Sequence, residues 1–206
     1  MTDTAIGNEQ KLLIITGTQE SGKTSLCKAG IAWCSNNGIP QTGVICPGIY
    51  KNNLRICITA YNVQTGYSCL LGIRNDMPDI QEQLHALGIK VTSPFTAPFI
   101  ETPRWRFSLQ AFAQCSSWLR TEPCSVFWID ELGILEFKDQ QGFYKAFEIL
   151  NTQHYKLAIT VIRPELIDCL PDFVRGVTWN ILDVTATEHA YEALVQFIAQ
   201  QYPLHR

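Results

Sequence analysis

The apolar residues fall into short blocks with two different periods. Lys11-Leu-Leu-Ile-Ile15 is a continuous apolar run closed by Gly17, which predicts a buried strand. From Lys23 to Asn37, Leu26, Gly30 or Ile31, and Trp33 or Cys34 recur at helical spacing. Asn36-Asn37-Gly38 and then Pro40 stop that helix. Val44 to Tyr50 reads as a second strand. Leu54 to Tyr61 and Tyr67 to Ile73 read as a hairpin turning at Asn62 to Gly66. Asp76 to Leu87 has a weaker helical period through Ile80, Leu84 and Leu87, with Pro78 early and Gly88 as a stop. Ile89 to Phe107 carries Pro94, Pro98 and Pro103 without any period, which predicts a surface loop. Ser108 then opens a helix through Leu109, Phe112, Cys115 or Ser116, and Leu119.

Ser125 to Ile129 is apolar without alternation, as expected for a strand covered on both faces. A helix over Gln140 to Asn151 aligns Phe143, Phe147 and Leu150. Leu157 to Ile162 is another buried strand, and Pro164 suits the first turn of a short helix ending by Pro171. Val177 to Leu182 is the last strand. Thr185-x-x-Glu188 has the spacing of a capping box before a final helix through Ala190, Leu194, Phe197 and Ile198. Strands alternating with helices predict an α/β fold: a mostly parallel sheet with helices on both faces and an added antiparallel hairpin.

Composition narrows the class. The chain has 206 residues, a formal charge of 16 − 19 = −3 and 46% hydrophobic residues, which fits one domain over 1–206. Residues 1–10 read as a flexible polar tail without a signal-peptide pattern, and 74–107 as a variable insertion. No apolar run is long enough to span a membrane, and the charge offers no basic path for nucleic acid. The expected location is the cytoplasm. Eight cysteines (Cys27, Cys34, Cys46, Cys57, Cys69, Cys115, Cys124 and Cys169) lack metal-site spacing and read as small buried hydrophobes. Cys57 and Cys69 are expected near each other across the hairpin. The four histidines show no metal spacing either.

The chemistry sits in two stretches. Gly17-Thr18-Gln19-Glu20-Ser21-Gly22-Lys23-Thr24 fits Gly-x-x-x-x-Gly-Lys-Ser/Thr, the Walker A phosphate-binding loop, between a strand and a helix. Its glycines allow sharp turns, its amides face phosphate oxygens, and the helix start adds favourable partial charge. Lys23 is expected on the β- and γ-phosphates and Thr24 on Mg²⁺, with Gly17 through Ser25 forming the nucleotide-binding segment. Glu20 would repel a polyphosphate unless it points outward, and an outward carboxylate is the expectation. Val126-Phe-Trp-Ile-Asp130-Glu131 reads as a Walker B strand. Asp130 is expected in the Mg²⁺ shell and Glu131 on the attacking water, with burial raising the Glu131 pKa. Arg163, just past a buried strand and next to Pro164, suits either a cis arginine on the γ-phosphate or a surface arginine at a helix start. Arg104 and Arg106 flank Trp105, a triplet that suits either a phosphate-clamping lid or a loop anchor.

Asp130-x-x-Gly133 imitates a GTPase switch, but no Asn-Lys-x-Asp is present to read guanine. The stretch Ile129-Asp130-Glu131-Leu132-Gly133-Ile134-Leu135-Glu136 instead resembles the Ile-Asp-Glu-Ile-Gly-x-x-Glu pattern of the THEP-type nucleoside-triphosphatase family. The loop Gly17 to Thr24, the Gly43 segment before the Tyr61/Gly66 hairpin, and Ala158 to Arg163 extend the resemblance over most of residues 11–199. It implies a RecA-like P-loop fold and slow, base-tolerant hydrolysis of ATP, GTP and other NTPs. The loop interior lacks the usual extra glycine, and the 74–105 segment is longer and richer in proline than the family pattern. Two other readings stay open: a nucleotide-gated module acting on a protein partner, and a P-loop small-molecule kinase with Arg104 and Arg106 as its lid.

Overall fold

The computed structural model describes residues 11–77, 79–88, 98–123 and 125–202. The expected tail 1–10, Pro78, the 89–97 part of the insertion, Cys124 and His205 lie outside the described residues. Among the described residues, ten strands form one sheet. In chain order they are β1 (Lys11–Thr16), β2 (Gln41–Ile45), β3 (Gly48–Lys51), β4 (Leu54–Asn62), β5 (Ser68–Arg74), β6 (Phe99–Glu101), β7 (Trp105–Ser108), β8 (Val126–Leu132), β9 (Leu157–Ile162) and β10 (Thr178–Asp183). The helices are α1 (Lys23–Asn36), α2 (Ile80–Ala86), α3 (Leu109–Ser116), α4 (Ile134–Phe137), α5 (Lys145–Thr152) and α6 (Ala190–Gln201), with a 3₁₀ helix at Pro164–Asp172.

The sheet runs β10-β1-β9-β8-β2-β4-β5-β7-β6, with β3 beside β4. Its first five strands are parallel. Alternate side chains of these strands feed two apolar layers. Leu12 and Ile14 pack with Phe112, Phe147 and Leu166, whereas Leu13 and Ile15 pack with Leu26, Ile31 and Leu194. So α1 and α6 cover one face, and α3, α5 and the 3₁₀ helix cover the other. Both faces being covered explains the unbroken apolar runs of β1, β8 and β9.

The antiparallel addition is larger than one hairpin. The stretch expected as a single strand over 44–50 breaks at Cys46-Pro47, and β3 turns back to pair with β4. Within the stretch to Phe107 expected as a loop, residues 99–101 form β6 and 105–107, with Ser108, form β7, and the two continue the sheet beyond β5. Their prolines lie at 98 and 103, outside both strands, so no ladder hydrogen bond is lost. A small third apolar cluster of Ile56, Cys57, Ile73, Ile80 and Leu84 seats α2 on this extension.

Five of the cysteines are buried, as the composition suggests: Cys27, Cys34, Cys46, Cys57 and Cys115. Cys169 is exposed. Cys57 and Cys69 are not cross-strand neighbours, because Cys57 pairs with Ile73 and Cys69 with Ala60. Cys69 Sγ lies instead 3.5 Å from Cys115 Sγ of α3. Burial pushes the Cys34 thiol up to about 12 and the Cys57 thiol to about 11, which keeps both protonated.

Candidate active site

The five parallel strands end at one edge of the sheet, and every strand end carries part of the site. After β1 the chain enters the glycine-rich loop. Gly17 has φ 137°, and a Cβ there would stand 2.7 Å from Thr185 Oγ1 and 2.8 Å from Val184 Cγ2. Only glycine fits this close approach. Gly22, with φ 90°, is the N-cap of α1. Thr18, Gln19, Glu20, Gly22 and Ser25 are exposed, while Ser21, Lys23 and Thr24 are half-buried. Glu20 (φ 62°) is thus exposed to solvent, as its charge requires.

The Lys23 ammonium folds into its own loop. It donates to the Gly17 carbonyl (2.9 Å), the Thr18 carbonyl and the Ser21 hydroxyl (3.3 Å). Burial pulls its pKa below the ordinary lysine value. Nearby Glu131, Asp130 and Asp183 oppose that shift, and Arg163 adds to it. These four charges mark the groups gathered around the loop.

Asp130 sits near the end of β8 and is only 2% exposed. Its Oδ2 accepts from the Cys46 amide just past β2 (3.1 Å). Burial pushes its carboxyl up to about 6, helped by the Glu131 charge and opposed by the Cys46 amide, the Thr24 hydroxyl and Arg55. The Thr24 hydroxyl is near enough to favour the Asp130 carboxylate, which brings the first turn of α1 beside the end of β8. A buried carboxylate beside a hydroxyl is an oxygen donor set that fits Mg²⁺, which is commonly held by one or two carboxylates plus substrate phosphates. The donors are few: among the described residues no group of three or more His, Cys, Asp and Glu could hold a metal ion.

Glu131 follows in left-handed backbone (φ 67°). The β8–β9 register slips there: Ile129 faces Thr160 and Leu132 faces Ile162, leaving one extra residue in β8. The bulge turns Glu131 toward solvent. Its side chain is 37% exposed, so the burial expected for it is not found. Arg163, just past β9, donates to Glu131 Oε1 (3.1 Å) and is 46% exposed. An exposed pair of this kind contributes about 0–1 kcal/mol, so exchanging either partner for another charge costs little.

Several site residues were not singled out from the sequence. Thr185 Oγ1 accepts the Thr18 amide (3.0 Å), and its own amide donates to Asp183 Oδ1 (2.8 Å). The Thr185–Glu188 spacing suits a capping box, but α6 begins at Ala190 after His189. Cys46 holds Asp130 through its backbone, which leaves no trace in residue type. Arg104, Trp105 and Arg106 are not brought to this edge. They lie on and beside β7, six strands from β1, roughly 29 Å at sheet spacing. There the Arg55 and Arg74 guanidiniums lie over the Trp105 ring (5.6 and 5.9 Å to its centroid), and Arg106 pairs with Glu101 (2.8 Å). The triplet anchors the extension and supplies no lid.

This fold and this loop define a P-loop NTPase. A family model for NTPases matches residues 12–195, and the chain belongs to that family, the THEP-type nucleoside triphosphatases. The solution structure of a human cancer-related nucleoside triphosphatase superposes with a TM-score of 0.63. It covers 95% of this chain and 100% of its own at 18% identity, a likeness of fold. Comparison with curated protein sequences gives no match.

Proposed function

We propose that the protein is a Mg²⁺-dependent nucleoside triphosphatase that converts ATP, GTP and other NTPs to NDP and phosphate. The observation that carries this reading is the meeting of Lys23, Thr24, Asp130, Glu131 and Arg163 at one sheet edge. Amides of Gly17 to Ser25 cradle the phosphates. Lys23 exchanges its loop acceptors for β- and γ-phosphate oxygens. Thr24 and Asp130 would hold Mg²⁺, which would screen phosphate charge. Arg163 exchanges Glu131 for the γ-phosphate, and the freed Glu131 carboxylate takes the proton of the attacking water. The weak Glu131–Arg163 pair supports this exchange, because little is lost on opening it.

The test is phosphate release from a panel of NTPs with Mg²⁺ and no added acceptor. Lys23→Ala is expected to lose nucleotide binding. Glu131→Gln is expected to keep binding and lose turnover by about 10²-fold or more. Full turnover by Glu131→Gln would remove Glu131 from its role, and release only with an acceptor would favour a kinase.

A second reading is a nucleotide-gated module whose turnover a protein partner stimulates. It is favoured by the extent of the antiparallel extension, which has its own apolar cluster away from the site. A pull-down with ATP against ADP separates the two readings. Cytosolic NTPs and free cysteines in the described residues suit a cytoplasmic setting. Among the described residues no helix is long and apolar enough to cross a membrane.

A further inference from the structure

Glu136 is a carboxylate with two committed oxygens. It is only 4% exposed. Oε2 accepts the Gly133 amide and Oε1 the Phe143 amide, each at 2.8 Å. Both are short bonds, and together they offset part of the cost of burying the group. Gly142, with φ 63°, lies against the same carboxylate: a Cβ there would stand 2.1 Å from Oε1. The Gln141 amide closes the loop further on the Leu135 carbonyl (2.9 Å). The chain from 133 to 143 is therefore wound around one buried side chain.

That side chain begins to act two residues after Glu131. Glu131 is a non-glycine residue in left-handed backbone, a conformation that persists only where the surroundings over-determine it. Its carboxylate cannot supply that constraint, since its ion pair is with exposed Arg163. The constraint comes from the backbone on either side. Upstream are the β8 ladder and buried Asp130. Downstream are Leu132, fully buried, and Gly133, whose amide Glu136 holds.

We propose that Glu136 is a positioning residue for turnover, clamping Gly133 to Phe143 and thereby fixing the direction in which bulged Glu131 faces the nucleotide. This rests on the reading of Glu131 as the water-handling group. Glu136 touches neither nucleotide loop nor metal donors, so the clamp governs the chemical step and leaves binding alone. A catalytic group misplaced by about 1 Å can lower a rate about 10²-fold, which sets the scale of the effect.

The experiment compares kcat, KM and the Kd of a non-hydrolysable NTP analogue with Mg²⁺. Its variants are Glu131→Gln, Glu136→Gln, Glu136→Asp and Gly142→Ala. Glu136→Gln turns an amide donor toward a backbone donor, and Gly142→Ala presses on the same oxygen from the other side. Both are expected to lower kcat about 10- to 100-fold while Kd stays within about twofold. Glu136→Asp keeps the charge on a shorter arm and falls in between, and it carries the test if Glu136→Gln does not fold. Wild-type kcat in these variants overturns the clamp, as does a Kd loss that parallels the kcat loss, the mark of a purely structural role. Wild-type turnover by Glu131→Gln overturns instead the reading beneath it, so the two failures are told apart.

Discussion

The Thr18 amide reaches across 167 residues of sequence to the Thr185 hydroxyl. That single bond ties the first turn of the phosphate-binding loop to the end of β10, on the side of β1 away from Asp130. The bond is exposed, so water can replace part of it, and its net contribution lies near 0.5–1 kcal/mol. Thr185→Ala is therefore expected to raise the Kd of an NTP about 2- to 5-fold with kcat unchanged. Thr185→Ser keeps the acceptor and should restore wild-type binding. Equal Kd values for wild type and Thr185→Ala would show that the loop holds its shape without this bond. The bond was illegible in the sequence for a physical reason: a threonine before an acidic residue fits a capping box as well as it fits a tertiary contact. The loop itself was legible, because Gly17, Gly22, Lys23 and Thr24 are each demanded by local geometry or chemistry at fixed spacing.

Among elements, the least legible were those whose partners are remote. β1, β9 and α1 stand where their periods put them, since burial on both faces dictates an unbroken apolar run and burial on one dictates a stripe. By contrast β6 and β7 are strands only because β5 offers an open edge, and their prolines masked that from the sequence. The bulge in β8 and the short α4 likewise depend on Glu136, which sequence pattern marked only as the last residue of a family stretch. Burial pushes the Glu136 carboxyl up to about 7 from an ordinary 4.5, opposed by the Phe143 and Gly133 amides. The folded chain therefore holds this proton more tightly than the unfolded chain. The stability it contributes is fully present below about pH 4.5 and is lost as pH rises through about 7. Thermal melts without nucleotide or Mg²⁺ should show Tm falling over that window, by an amount on the order of a few kcal/mol in stability. Asp130, raised to about 6, adds a slope of the same sign. Glu136→Gln should flatten the profile above pH 6 and keep the Asp130 part. Identical slopes in both proteins would mean that Glu136 does not carry this proton.

At the scale of the whole molecule, the sheet divides its work. The parallel strands carry every group of the candidate site at their ends, while β3 to β7 pack α2 through a separate small cluster. Leu84 is fully buried at the centre of that cluster, among Ile56, Cys57, Ile73 and Ile80. Leu84→Ala removes packing there and leaves a cavity, at about 2–5 kcal/mol for a well-packed leucine. For a chain of this length each kcal/mol lowers Tm by roughly 2–4 °C. The expected result is thus a drop of several degrees in Tm, with the Kd and kcat of NTP hydrolysis at 25 °C within about twofold of wild type, because distant sites add independently. A saturating NTP with Mg²⁺, at about 100 times its Kd, should add about 2.7 kcal/mol of stability to both proteins alike. If Leu84→Ala lost turnover while still folded at the assay temperature, the extension would be coupled to the P-loop edge through the β2–β4 junction. The ladder at that junction is short, with Val44 paired to Asn62 and Ile45 to Tyr61. Cys46, whose amide holds Asp130, comes next after Ile45 in the chain. That junction, together with the Arg55 guanidinium of β4 donating to the Cys46 carbonyl (2.9 Å), is a short path by which a disturbance in the extension can reach Asp130, so the Leu84→Ala assay reads directly whether it is used.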